Sequence, residues 1–159
     1  MKYHQNLKII LYCFLANILF SHCQIPCGIY DDALRIIQIK EHFKTINKAM
    51  IKIENLSGKT DLLSVNQLNR WITTKEDHAN KAQRIVADYF LTQRVKASND
   101  KNYIDQTIFL QKLLVSTMEC KQTVDTNNVY IGKQLINQFV KVYFDEHEIE
   151  HLNKQEKSF

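Results

Sequence analysis

From Asp31 onward, apolar residues recur at alternating steps of three and four: Ile36, Ile39, Phe43, Ile46, Met50 and Ile53. Steps that average close to one helical turn keep these side chains on one face, so the spacing predicts an amphipathic helix that begins at an Asp31 N-cap and stops near Ser57-Gly58. A second seam runs through Val65, Leu68 and Ile72, passes over Lys75, and continues through Ala79, Ala82, Val86 and Tyr89. Thr73 and Glu76 have capping-box spacing, which leaves two readings open: one continuous helix, or a short helix followed by a long one. After the polar run Ala97-Ser98-Asn99-Asp100-Lys101-Asn102, a third helix is predicted from Tyr103 to the region of Lys121, with Ile104, Ile108, Phe109, Leu113, Leu114 and Met118 as its apolar positions. Asp125-Thr126-Asn127-Asn128 interrupts the pattern, and a fourth helix is expected from Val129 to His151 through Leu135, Ile136, Phe139, Val140 and Tyr143. Four helices joined by short polar loops make an all-α, up-down-up-down four-helix bundle over 31–159 the expected fold.

Composition narrows this further. The 159 residues include three glycines and one proline, too few for a turn-rich sandwich, barrel or disulfide scaffold. Gly58 and Gly132 are expected to punctuate the bundle, whereas Pro26 and Gly28 fall together in His22-Cys23-Gln24-Ile25-Pro26-Cys27-Gly28. The net charge is +4, of which Lys2 and Lys8 contribute two. So weak a balance excludes a nucleic-acid-binding role as the main function.

Residues 1–21 read as a leader. Lys2, His4 and Lys8 precede the apolar run Ile9–Phe20, and Ser21 provides a small residue before His22. The run is a signal-peptide core in length, short of a transmembrane span, so no membrane association is expected after processing. Removal of 1–21 makes His22 the N-terminus, with a free α-amine. The leader is expected to direct the chain to the periplasm or outside the cell; the alternative is a pro-peptide trimmed in the cytoplasm.

Of the four cysteines, Cys13 lies within the leader and Cys120 in the third helical pattern, where a small buried hydrophobe is the expectation. Cys23 and Cys27 form the local pair. A turn set up by Pro26 and left through Gly28 lets both thiolates reach one metal. With His22 at the N-terminus, its amine, the deprotonated amide of Cys23 and the two sulfurs can make a planar N2S2 set, with the His22 imidazole above it. Such ligation suits Ni(II) or Cu(II), since zinc prefers a tetrahedron. The competing readings are a Cys23–Cys27 disulfide in an exported helical protein and a Cys2His zinc site.

The run His22-Cys23-Gln24-Ile25-Pro26-Cys27-Gly28-Ile29-Tyr30 resembles the N-terminal hook of the nickel-containing superoxide dismutases, His-Cys-x-x-Pro-Cys-Gly-x-Tyr, and Asp88-Tyr89-Phe90 is similar to a later segment of that family. The resemblance implies one nickel ion per subunit. His22 would supply the amine and the axial imidazole, Cys23 an amidate and a thiolate, and Cys27 the second thiolate. It implies that Tyr30 lines the approach to the metal as the catalytic-site residue, and that two superoxide anions are converted to dioxygen and hydrogen peroxide by Ni(II)/Ni(III) cycling. It also implies a maturation protease and a homohexamer of four-helix bundles.

This chain departs from the family in two places. Gln24 stands where family members often have Asp, and the carboxylate that holds the axial imidazole is replaced by Ile37 or Gln38, depending on alignment. Its arginine partner has candidates in Arg70 or His78. A second metal motif, His147-Glu148-Ile149-Glu150-His151, matches the His-Glu-x-x-His of zinc peptidases. Only eight residues follow it and no sheet is predicted to hold a peptide, so a solvated helix end is the expectation. His42 and His78 are read as surface or packing residues.

Overall fold

The computed structural model describes residues 31–97 and 102–158, and every regular element among them is helical. Helix α1 spans Asp32–Leu56, and its N-cap is Asp31, whose Oδ1 accepts from the amides of Ala33 (2.8 Å) and Leu34 (3.4 Å). It ends at Ser57, followed by Gly58 at φ 77°, a left-handed conformation that glycine adopts without a Cβ clash. Helix α2 spans Leu62–Arg84 from an Asp61 cap, and continues without a break into a π-helical segment, Ile85–Arg94. This decides for one continuous helix. Thr73 caps nothing, because its hydroxyl donates back to the Asn69 carbonyl within α2.

Helix α3 spans Tyr103–Gln122 and α4 spans Thr126–Tyr143, the latter capped by Asp125. The fourth helix expected to reach His151 therefore stops early. Phe144 is extended and buried, and a fifth helix, α5 (Glu146–Glu156), starts from Asp145. The break has a local cause: the Asp145 carboxylate accepts the Glu148 amide at 2.8 Å while the Glu148 carboxylate accepts the Asp145 amide at 2.9 Å, a complete capping box. The chain turns back so that Leu152, 2% exposed, reaches the core.

The four long helices pack in a ring, α1 on α2, α2 on α3, α3 on α4 and α4 on α1, with α5 lying along α1. The predicted seam residues Ile36, Ile39, Phe43, Ile46 and Met50 are buried and meet Ala79, Ala82, Val86, Leu110, Leu113, Ile136 and Phe139, whereas Ile53 near the end of α1 is half-buried and Val65, Ile72, Ile104, Ile108 and Met118 stay exposed. Gly132 does not punctuate the bundle. It lies inside α4, where an added Cβ would stand 2.0 Å from Phe43 Cε1, so its bare backbone is what lets α4 approach α1. Gly132→Ala is expected to lower stability by about 1–2 kcal/mol, since overpacking a buried ring outweighs the ~1 kcal/mol gained in helix propensity. A urea midpoint reduced at unchanged m-value would show it.

Lys75, in the middle of the α2 seam, is 4% exposed. Its Nζ donates to the carbonyls of Cys120 (3.0 Å) and Thr123 (2.9 Å) and to that of Lys121, the last turn of α3 and its exit. A cation thus caps the negative end of a neighbouring helix. Cys120 itself is fully buried, and burial pushes its thiol up to about 12, against the smaller opposing pull of Lys75. That environment makes it a packing residue rather than a nucleophile.

Candidate metal centre

The predicted ligands His22, Cys23 and Cys27, and Tyr30 on the approach, lie outside the described residues. What the structure does define is the end of the bundle from which they emerge. Asp31 follows Tyr30 in the chain, and Asp31 and Asp32 are the roots of two separate polar clusters.

Asp31 divides its carboxylate. One oxygen caps α1, and the other, Oδ2, lies 3.0 Å from His151 Nε2 and accepts from Gln155 Nε2 at 2.8 Å, both on α5. Partial burial raises the Asp31 pKa, but the hydrogen bonds from His151, Gln155 and the two capping amides outweigh it and hold the group below the usual carboxylate range.

Asp32, whose side chain is 12% exposed, gathers partners from two other elements, the π segment and α4. Its Oδ2 accepts from Arg94 Nη2 at 2.6 Å and Nε at 3.0 Å, and from the Tyr143 hydroxyl at 2.7 Å; its Oδ1 accepts from the Tyr89 hydroxyl. Burial, reinforced by the hydrogen bond to the Asp32 carboxylate, raises both phenol pKa values well above the ordinary tyrosine range, so Tyr89 and Tyr143 are donors at any physiological pH. The guanidinium carbons of Arg35 and Arg94 lie 5.5 and 5.9 Å from the Tyr89 ring centre, within cation–π range. Beneath them, Phe90, Phe139 and Tyr143 form an aromatic floor, with Phe139 stacked on Tyr143 at 4.8 Å.

The π-helical segment explains how Tyr89 and Arg94 reach the same carboxylate. Hydrogen bonding from i to i+5, seen in the Val95 amide donating to the Phe90 carbonyl at 2.8 Å, widens the turn and brings residues five apart closer to one face. In an α-helix such residues point well away from each other. Of this cluster the sequence pattern had marked Tyr89 and Tyr143, but only as positions on apolar seams, with Asp88-Tyr89-Phe90 as a segment similar to the family's. Asp32, Arg94 and Tyr143 lie too far apart in the chain for any spacing rule to join them.

The remaining predicted residues fall elsewhere. Gln38 accepts from Arg35 Nη1 at 2.7 Å, and Ile37 packs at the edge of the core on the same helix. Arg70 is exposed on α2. His78 faces His42 across the α1–α2 seam with their Nδ1 atoms 3.1 Å apart; burial and the neighbouring His78 and Lys81 hold the His42 imidazole below the usual histidine range. In the His-Glu-x-x-His motif, Glu148 is engaged in the capping box, His151 meets Asp31, and His147 is exposed. Among the described residues no group of three or more His, Cys, Asp or Glu side chains is arranged to hold a metal ion. Nor is any described helix long and apolar enough to cross a membrane.

Compared with known families, residues 17–147 match the nickel-containing superoxide dismutases, a span that contains the nine-residue run 22–30 and helices α1 to α4 and ends at the start of α5. Searches of characterised proteins and of solved structures returned no match. With more than four-fifths of its length covered by that match, the chain belongs to the nickel-containing superoxide dismutase family and is an oxidoreductase of that class.

Proposed function

We propose that the mature chain begins at His22 and disproportionates superoxide at a nickel ion held, one per subunit, by His22, Cys23 and Cys27. The observation that supports this most directly is the complete nine-residue run from His22 to Tyr30, which lies within the family match and leads straight into the capped start of α1. The donor set fits nickel. The amidate and the two thiolates are anionic, strongly donating ligands, and together with the neutral amine they suit a d⁸ ion and ease its oxidation. Bound nickel would supply a Ni(II)/Ni(III) couple able to take an electron from one superoxide anion and give one to the next, two protons leaving with the peroxide product.

The protein's own residues have three tasks in this reading. His22, Cys23 and Cys27 hold the ion; Pro26 and Gly28 shape the turn between the sulfurs; Tyr30 restricts the approach, which limits oxidation of the thiolates by peroxide. The Asp32 cluster anchors the first turn of α1 against the π segment and α4, so the hook springs from a rigid base.

A hook at one end of a single bundle needs neighbours to exclude water. We assign that role to a homohexamer, supported by an apolar stripe that stays exposed on α3, namely Ile104, Ile108, Val115 and Met118, and by exposed Leu62 and Leu63 at the start of α2. In this reading residues 1–21 are a leader that carries the chain to the periplasm or the exterior, and a maturation protease cuts between Ser21 and His22. A pro-peptide trimmed in the cytoplasm is the other route to the same mature end.

The test is intact-mass and metal analysis of the purified, active protein. The expected result is a chain starting at His22 with about one nickel per subunit. Active protein with the Ser21–His22 bond intact would overturn the assignment, and a mass two hydrogens lower without nickel would mark a Cys23–Cys27 disulfide instead.

A further inference from the structure

We infer that α5 is a C-terminal latch that sets the direction in which the hook leaves the bundle, with His151 and Gln155 as positioning residues that act through Asp31. The inference rests on the assignment of the hook to residues 22–30. Its own basis is the contact between the two ends of the described chain. Tyr30 is joined by a peptide bond to Asp31, and the Asp31 oxygen not used to cap α1 takes the Gln155 amide at 2.8 Å and faces His151 at 3.0 Å.

The latch is held down independently of that contact. Leu152 is buried in the core, Ile149 packs at its edge, and Glu156 pairs with Lys40 on α1. His151 and Gln155, one turn apart, are thereby presented on the side of α5 that meets the start of α1. Asp31 has extended backbone angles, φ −78° and ψ 124°, and the torsions of this residue aim the segment before it. A carboxylate tied to α1 by one oxygen and to α5 by the other cannot swing freely. The residues that do this, His151, Leu152, Gln155 and Glu156, all lie beyond residue 147, where the family match ends.

The variant that isolates it is Asp31→Ser. Serine is as good an N-cap as aspartate, so α1 keeps its start, but the shorter side chain cannot reach α5. The measurement uses the mature nickel-loaded protein and follows loss of the thiolate-to-nickel absorption when a chelator is added, with helix content checked by circular dichroism. Asp31→Ser and the double variant His151→Leu/Gln155→Leu are expected to release nickel about five-fold faster at unchanged helix content, the size set by a partly exposed polar contact. His151→Gln, which keeps a donor toward Asp31, is expected to restore slow release. Lys154→Ala, which breaks only an exposed pair with Glu150, is expected to match the wild type. Wild-type release from Asp31→Ser would overturn the latch while leaving the hook standing. A wild-type protein whose nickel does not depend on His22 would overturn the hook, and the latch with it.

Discussion

One residue added ahead of His22 in the mature chain is expected to abolish dismutase activity, a loss of at least about a thousand-fold. The extension converts the α-amine into an amide, which is a poor donor, and moves the His22 imidazole off the terminal position, so two of the proposed ligand groups fail together. The side chains of Cys23 and Cys27 are untouched, and α1 to α5, which begin after the hook, should keep their helix content and thermal midpoint. The matched control is His147→Ala, at an exposed position outside both polar clusters, which should retain full activity. Pulse-radiolysis or stopped-flow superoxide decay on both variants checks the pair. Full activity in the extended chain, or its loss in His147→Ala, would move the chemistry away from the N-terminus.

The second large effect is on stability. Lys75→Met is expected to lower the unfolding free energy by about 3 kcal/mol, because charge-assisted hydrogen bonds are among the strong ones and the substitution leaves the Cys120 carbonyl unpartnered in the interior. The carbonyls of Lys121 and Thr123 are only partly buried and can recover water, which keeps the figure from being larger. For a chain of this size the loss corresponds to a fall in Tm of roughly 6–12 °C. Thermal unfolding followed by circular dichroism measures it. Since Lys75 contacts the α3 exit and no residue of the Asp31 or Asp32 clusters, the folded variant should bind nickel as the wild type does.

The uneven legibility of this chain has a physical origin. The helical seams were readable because burial on one face of a helix imposes a local period, which Ile36, Ile39, Phe43, Ile46 and Met50 obey, with Ile53 half-buried where α1 nears its end. The break before α5 was also written locally, as Asp145 and Glu148 at capping-box spacing. It was masked because Glu148 sits equally well in a His-Glu-x-x-His pattern, and only the hydrogen bonds show which role it takes. The departure from α geometry at 85–94 left no periodic trace, since the predicted seam has only Val86 and Tyr89 inside that segment, three residues apart, too few to register a changed period. Gly132 was misread for the opposite reason. A glycine looks like punctuation in sequence, but its need here comes from Phe43 on another helix.

By itself, the sequence determined the all-helical class, the cap at Asp31, and the run from His22 to Tyr30 that carries the proposed ligands. Each is a matter of neighbours within a few residues, where spacing alone decides which groups can meet. Only the tertiary structure decided what stands beneath that run. Asp32 with Tyr89, Arg94 and Tyr143, and Asp31 with His151 and Gln155, join residues separated by between 57 and 124 positions. Their meeting depends on how four helices close into a ring and where the fifth folds back. Hydrophobic packing sets those choices, and no local pattern encodes them.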